Sequence, residues 1–192
     1  MTRTVHRLIE NHAALRGGAI ALVDGESCCT YRELNAAANV LARKLMNAGF
    51  RRGMCARVRM APAVELAVVL LAILKAGGCY AWSQPGPGAA ASIWFEGAGR
   101  QGDVEIGHVT LAEVTLGTVC GASNLPVMSR ETDAACVLHG GVIVPHATII
   151  AMTPCAAGAR SPFTGEAGAF DLWVPLMNGV TAVVEDRPAV AA

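Results

Sequence analysis

Leu74-Lys75-Ala76-Gly77-Gly78-Cys79-Tyr80-Ala81 closes a long apolar run and opens a new extended segment. The run before it, Val64 to Leu74, is apolar on almost every side, which predicts a helix buried all round. Lys75 falls in its last turn, and Gly77 suits the left-handed position just past a helix end. From Tyr80 the pattern becomes extended. The stretch therefore predicts a buried helix delivered through a tight glycine turn into a sheet.

Working back from it, Met54 to Met60 alternates cleanly, with Met54, Ala56, Val58 and Met60 on one face and Cys55, Arg57 and Arg59 on the other. Two arginines on one strand face suit either an anion-binding pair or, more commonly, a solvated rim or edge strand. Pro62 is expected in the first turn of the following helix. Earlier still, Thr30-Tyr31-Arg32-Glu33 is a capping box that starts a helix ending at Gly49. Thr4 to Leu15 reads as an amphipathic helix stopped by Gly17-Gly18, with His6 and His12 on a surface helix. Asp24-Gly25 is a turn signal for a hairpin between Ala19–Val23 and Cys28–Thr30.

Working forward, Ser83 to Ala91 holds two prolines, two glycines and an alanine run, which reads as a linker. Ile93–Phe95 and Val104–Ile106 are short strand candidates. Ala134 to Leu138 reads as a buried strand, Gly140-Gly141 as a turn and Val142–Val144 as extended. A helix is expected from His146 to Met152 and a loop from Thr153 to Ala169. A short helix near Leu172–Met177 and a last strand Val180–Val184 complete the series. Strands alternate with helices, which predicts an α/β fold with a mostly parallel sheet flanked by helices. The chain reads as one domain over 1–192, with possible lobes 1–82 and 92–192 joined by 83–91.

Composition narrows the function classes. The 192 residues carry 15 basic and 15 acidic side chains, so no basic surface for nucleic acid is expected. Mean hydropathy is +0.43. The most apolar segment, Pro62 to Ala76, falls short of the roughly 20 residues needed to span a bilayer, and no signal-like stretch precedes Glu10. A soluble, cytoplasmic protein without membrane contact is expected. The seven cysteines are scattered, form no Cys-x-x-Cys pair and have no histidine at zinc-ligand spacing, so no metal site is expected and they read as reduced core residues. The histidines have no ligand spacing, no Ser–His–Asp set is legible locally, and no dinucleotide-type glycine fingerprint is present.

Cys29-Thr30-Tyr31-Arg32-Glu33-Leu34-Asn35 resembles the first core motif, Leu-Thr-Tyr-x-Glu-Leu, of the amino-acid adenylation domains of nonribosomal peptide synthetases. Leu74 to Tyr80 resembles their second, Leu-Lys-Ala-Gly-x-Ala-Tyr, at the right distance after the first. Gly141-Val142-Ile143-Val144-Pro145-His146 is similar to the tail of the third motif. Phe170-Asp171, with Pro175-Leu176-Met177-Asn178-Gly179, is similar to the fourth. The resemblance implies the N-terminal subdomain of an adenylate-forming enzyme with shortened loops.

Such enzymes join a carboxylate to ATP with release of pyrophosphate. They hold the β- and γ-phosphates in a Ser/Thr/Gly-rich loop ending in Lys, where backbone N–H groups and one cation meet the charge. This chain passes from His139-Gly140-Gly141 directly to Val142, so the hydroxyls and the lysine are deleted. The resemblance makes His139, Gly140 and Gly141 a degenerate nucleotide-binding remnant. It makes Asp171, preceded by Phe170, a remnant of the site that pairs with a substrate α-amino group, although as a residue Asp171 equally suits a helix N-cap. The family's adenine and ribose contacts and its mobile lobe with the catalytic lysine belong beyond Val184.

These observations lead to the expectation of a non-enzymatic accessory or interaction protein derived from an adenylation domain, acting in trans in natural-product biosynthesis. It would have no catalytic residue and no cofactor, with ATP and Mg²⁺ entering only if adenylation were retained. Its partner would be a biosynthetic enzyme or synthetase component, or a second copy in a homodimer. The alternatives are a binder or altered enzyme for amino acids or small carboxylates, adenylation completed by a second chain, and a fragment without function.

Overall fold

The computed structural model describes residues 3–25, 27–83, 92–96, 123–152 and 170–184. The expected strand at Val104–Ile106, the loop 153–169, most of the linker and Cys120, Cys155 and His108 lie outside the described residues. The elements run α1 (Val5–Arg16), β1 (Ile20–Asp24), β2 (Ser27–Thr30), α2 (Tyr31–Asn47), β3 (Cys55–Arg59), α3 (Val64–Lys75), β4 (Cys79–Ser83), β5 (Ser92–Glu96), β6 (Ala134–Val137), β7 (Ile143–Pro145), α4 (His146–Ala151), α5 (Phe170–Met177) and β8 (Ala182–Val184).

Two sheets form, ordered β2-β1-β8 and β5-β3-β4-β6-β7. Parallel pairings make the interior, β3 with β4, β4 with β6 and β1 with β8. Antiparallel strands close three edges, β2 on β1, β5 on β3 and β7 on β6. The α/β class is as expected, with sheets that are mixed at their margins. β2 and β7 each follow their partner strand through a short turn, so they come out antiparallel, whereas β5 pairs with β3 across the intervening α3 and β4. Chain before and after the linker shares both sheets, since β5 lies on β3 and β8 on β1.

The buried helix is α3, where eleven of twelve residues, all but Glu65, are buried. It begins at Val64 after Ala63, so Pro62 stands before the helix rather than in its first turn. The end of α3 explains the glycines. Gly77 adopts φ +86°, its N–H bonds to the Leu74 carbonyl at 3.2 Å, and the Gly78 N–H bonds to the Ile73 carbonyl at 3.1 Å. That pair of bonds is the Schellman closure, which needs the left-handed residue that glycine supplies. The same pair recurs after α2, from Gly49 to Met46 and Phe50 to Leu45, and after α5, from Gly179 to Leu176 and Val180 to Pro175. Gly78 is required for a different reason. A Cβ there would lie 2.2 Å from Phe50 Cζ and 2.6 Å from the Met54 carbonyl.

The predicted capping box is present. Thr30 accepts from the Glu33 N–H, and the Glu33 carboxylate accepts from the Thr30 N–H at 2.8 Å. Those bonds, led by the Thr30 N–H, hold the Glu33 carboxyl below its ordinary range. The alternation of β3 is also observed, with Ala56 and Val58 buried and Arg57 and Arg59 exposed. β3 is an interior strand paired on both sides, so its arginines do not mark an edge. Arg59 instead lies over the Trp94 ring at 5.1 Å, a cation–π contact across the β3–β5 pair.

His6 is buried, which corrects its expected surface position. Its face of α1 turns inward against α4, and its ring meets that of His146 edge-on at 5.7 Å. Among the described residues no helix is long and apolar enough to cross a membrane, and no group of three His, Cys, Asp or Glu is placed to hold a metal ion.

Candidate functional site

The motif residues Lys75, Tyr31 and Tyr80 are fully or almost fully buried, and each ties two elements together. Lys75 Nζ donates to Glu10 at 2.5 Å, joining α3 to α1, while Arg7 reaches the other Glu10 oxygen at 3.0 Å. Burial pushes the Lys75 ammonium down to about 8, a shift that Glu10 opposes. A buried ammonium is tolerable only with a partner of this kind. The Tyr31 hydroxyl lies 3.0 Å from the carbonyls of Leu176 and Val180, so the first motif grips the end of α5. The Tyr80 hydroxyl accepts from Trp173 Nε1 at 2.6 Å, so the second motif grips the middle of the same helix. His12 Nε2 adds a 2.8 Å contact to the Met177 carbonyl.

Three separate elements thus hold α5, the helix that carries Phe170 and Asp171. Asp171 lies inside the first turn of α5, one residue past Phe170, so the N-cap reading is corrected. Partial burial raises its carboxyl pKa, and it makes no hydrogen bond among the described residues. Pro175 lacks the N–H that would bond to the Asp171 carbonyl, which leaves this end of the helix without one rung. Phe170 packs partly buried against the core.

The phosphate-loop position is a tight hairpin. β6 and β7 pair from Ala134 opposite Pro145 to Val137 opposite Ile143. His139–Gly141 forms a single 3-10 turn between them, with both glycines at φ +82°. Two bonds close it, from the Gly141 N–H to the Leu138 carbonyl at 3.0 Å and from the Leu138 N–H to the Val142 carbonyl at 2.9 Å. The turn contains no hydroxyl side chain and no lysine.

His139, Gly140 and Gly141 wall one side of a cleft of about 420 Å³. The opposite side is made by Cys55, Arg57 and Trp94, and the floor by Ala81, Trp82, Ser83 and the end of β6. Trp82 Nε1 is bonded to the Met60 carbonyl at 2.9 Å, so its indole is fixed. Asp171 and Phe170 are not among the lining residues, so the two sets of expected remnant residues, His139–Gly141 and Phe170–Asp171, do not line this cleft together. The arginine alternation was the sequence signal for it. The contributions of Trp82, Trp94 and Cys55 depend on strand order, which no local pattern supplies.

This α/β scaffold, with its buried Lys–Glu tie and its helix clamped by two motif tyrosines, is similar in fold to the N-terminal subdomains of adenylation enzymes. Residues 9–92 match the family of AMP-binding enzymes. The chain is 29% identical to malpibaldin synthetase of Mortierella alpina over 95% of its own length and 4% of the relative's. It is 30% identical to surfactin synthase subunit 2 of Bacillus subtilis over 91% of its own length and 6% of the relative's. The chain therefore spans a small fraction of these curated relatives. In fold it is similar to the N-terminal subdomain of NpsA from Klebsiella oxytoca, with TM-score 0.74 and 16% identity, covering 100% of this chain and 55% of that one. It is likewise similar to the nonribosomal peptide synthetase FmoA3, with TM-score 0.77 and 18% identity, covering 100% of this chain and 24% of that one. The chain corresponds to the N-terminal portion of an amino-acid adenylation domain of the nonribosomal peptide synthetase type.

Proposed function

We propose that the chain is a non-catalytic accessory protein derived from an adenylation domain, acting in trans on a component of a peptide-assembling synthetase in the cytoplasm, without ATP, Mg²⁺ or another cofactor. The observation that carries this reading is the three-residue turn between β6 and β7. A triphosphate needs a loop of several N–H groups and a cation to wrap it. The turn His139–Gly141 offers neither the length nor the lysine, and two backbone bonds already close it. The scaffold around it keeps its caps, its buried ion pair and its clamped helix. Retention of those costly features beside a shortened loop favours selection for a folded shape.

An exposed edge supports a protein partner. Among the described residues β7 is the outer strand of the five-stranded sheet, with Ile143 65% exposed and Val142 beside it 58% exposed. An edge strand with apolar side chains offers both backbone bonds and buried area to an added strand. The test is native mass spectrometry of the purified chain, alone and mixed with individually purified synthetase modules from its own genome. A complex with one module is expected. A chain that stays monomeric with every module overturns the reading.

A second reading, binding of an amino acid or small carboxylate at the remnant substrate position, is favoured by Asp171. Its carboxylate is partly buried without a hydrogen-bond partner among the described residues. Calorimetric titration with amino acids and aryl acids decides it. Saturable heat that is lost in Asp171→Asn supports this role, and no heat at millimolar ligand removes it.

A further inference from the structure

We infer that Cys55 and Cys79 form an oxidisable dithiol, a modification site in which a peroxide entering the cleft converts the pair to a disulfide linking β3 to β4. The inference is independent of the proposed function. Cys55 and Cys79 are register partners on adjacent parallel strands, so their side chains leave the sheet on the same face. Neighbouring strands lie about 4.8 Å apart, inside the roughly 4.4–6.8 Å range of Cα separations that a disulfide bridges. Neither thiol is in a disulfide.

Access separates their roles. Cys55 is partly exposed and lines the cleft, whereas Cys79 is only 7% exposed. The contact with Cys55, followed by burial, pushes the Cys79 thiol well up, so it persists as a protonated thiol until its partner is oxidised. The third nearby thiol does not compete. Cys136 is the register partner of Tyr80, so its side chain leaves the sheet on the other face. Arg57, two residues along from Cys55, lines the same cleft.

The chemistry balances with hydrogen peroxide as the two-electron oxidant. Cys55 sulfur attacks one peroxide oxygen and the O–O bond breaks, giving a sulfenic acid and one water. Cys79 sulfur then attacks the Cys55 sulfur and displaces its hydroxyl as a second water, taking up the Cys79 proton. One S–S bond forms, two thiol hydrogens leave in water, and the peroxide is reduced.

The experiment exposes the full chain to a small excess of hydrogen peroxide, blocks remaining thiols by alkylation under denaturing conditions, and maps the peptides by mass spectrometry. A Cys55–Cys79 linked peptide is expected as the main product, two hydrogens lighter than the sum of its parts and reversed by dithiothreitol. Cys28→Ser should leave that product unchanged. Cys79→Ser should abolish it and leave a Cys55 sulfenic acid trapped by dimedone. Recovery of both Cys55 and Cys79 as alkylated thiols, while Cys28 or another cysteine is oxidised, overturns the proposal. Because the wild-type map needs no substitution, the test stands even if a variant fails to fold.

Discussion

At the scale of single residues, Gly78 has no room for a side chain. A methyl group there meets the Phe50 ring and the Met54 carbonyl at sub-van der Waals distance. Phe50 in turn packs on Phe95 with ring centroids 4.8 Å apart, so it has little room to yield. Gly78→Ala is expected to lower stability by about 1–3 kcal/mol, the usual cost of overpacking, read as a lower urea midpoint with unchanged slope. An unchanged midpoint would show that Phe50 moves freely. His146 gives a second residue-scale expectation. Burial depresses its pKa from 6.5 to about 4, against the pull of Asp133, and burial also depresses His6 beside it, with His146, Lys75 and Arg7 adding to that effect. A base whose folded pKa lies below its unfolded value binds fewer protons when folded. The stability due to the neutral rings is therefore full above about pH 6.5 and is lost as pH falls toward 4. The loss attributable to His146 is on the order of 3 kcal/mol, and His146→Asn should flatten the urea midpoint between pH 6.5 and 4. These residues show why local legibility varies. The glycine turn was readable because left-handed backbone demands one residue type. The burial of His6 was not, because its covering partner stands 140 residues later in the chain.

At the scale of elements, the two family motifs act as fasteners for helices. Lys75 joins α3 to α1 through Glu10, and Tyr31 and Tyr80 hold α5 from two sides. Removing one partner of a buried ion pair strands the other charge, so Lys75→Met or Glu10→Leu alone should cost about 3–5 kcal/mol. The double variant Glu10→Leu with Lys75→Met should recover most of that loss, since replacing a whole buried pair with apolar groups is often neutral. A double-mutant cycle by urea denaturation checks this, and additive losses would contradict it. Tyr80→Phe leaves the Trp173 indole N–H without its acceptor in the core. It is expected to cost about 1–3 kcal/mol and to alter Trp173 fluorescence, whereas Tyr31→Phe should leave that emission unchanged. The helices and caps were legible in the sequence because each depends on neighbours within four residues. The Glu10–Lys75 tie and the clamp on α5 were not, since they span 65 and 93–149 residues of chain. For Asp171 the residue type suited a cap, but the helix already includes Phe170, and Pro175 rather than Asp171 sets the irregularity.

At the scale of the whole molecule, the alternation of strands and helices led correctly to an α/β fold. Strand order and the antiparallel edges follow from chain reversals that pattern alone does not orient. The cleft belongs to this scale too, since β3, β4, β5 and the β6–β7 turn must be assembled before Arg57, Trp94 and His139 face one another. The central claim is that an adenylation scaffold is kept while the reaction is not. Amino-acid-dependent ATP–pyrophosphate exchange by the purified chain, across all proteinogenic amino acids and a set of aryl acids, tests it most directly. Exchange no greater than a no-protein control for every acid is the expected result. Exchange that depends on one acid and is lost with Asp171→Asn would contradict the account.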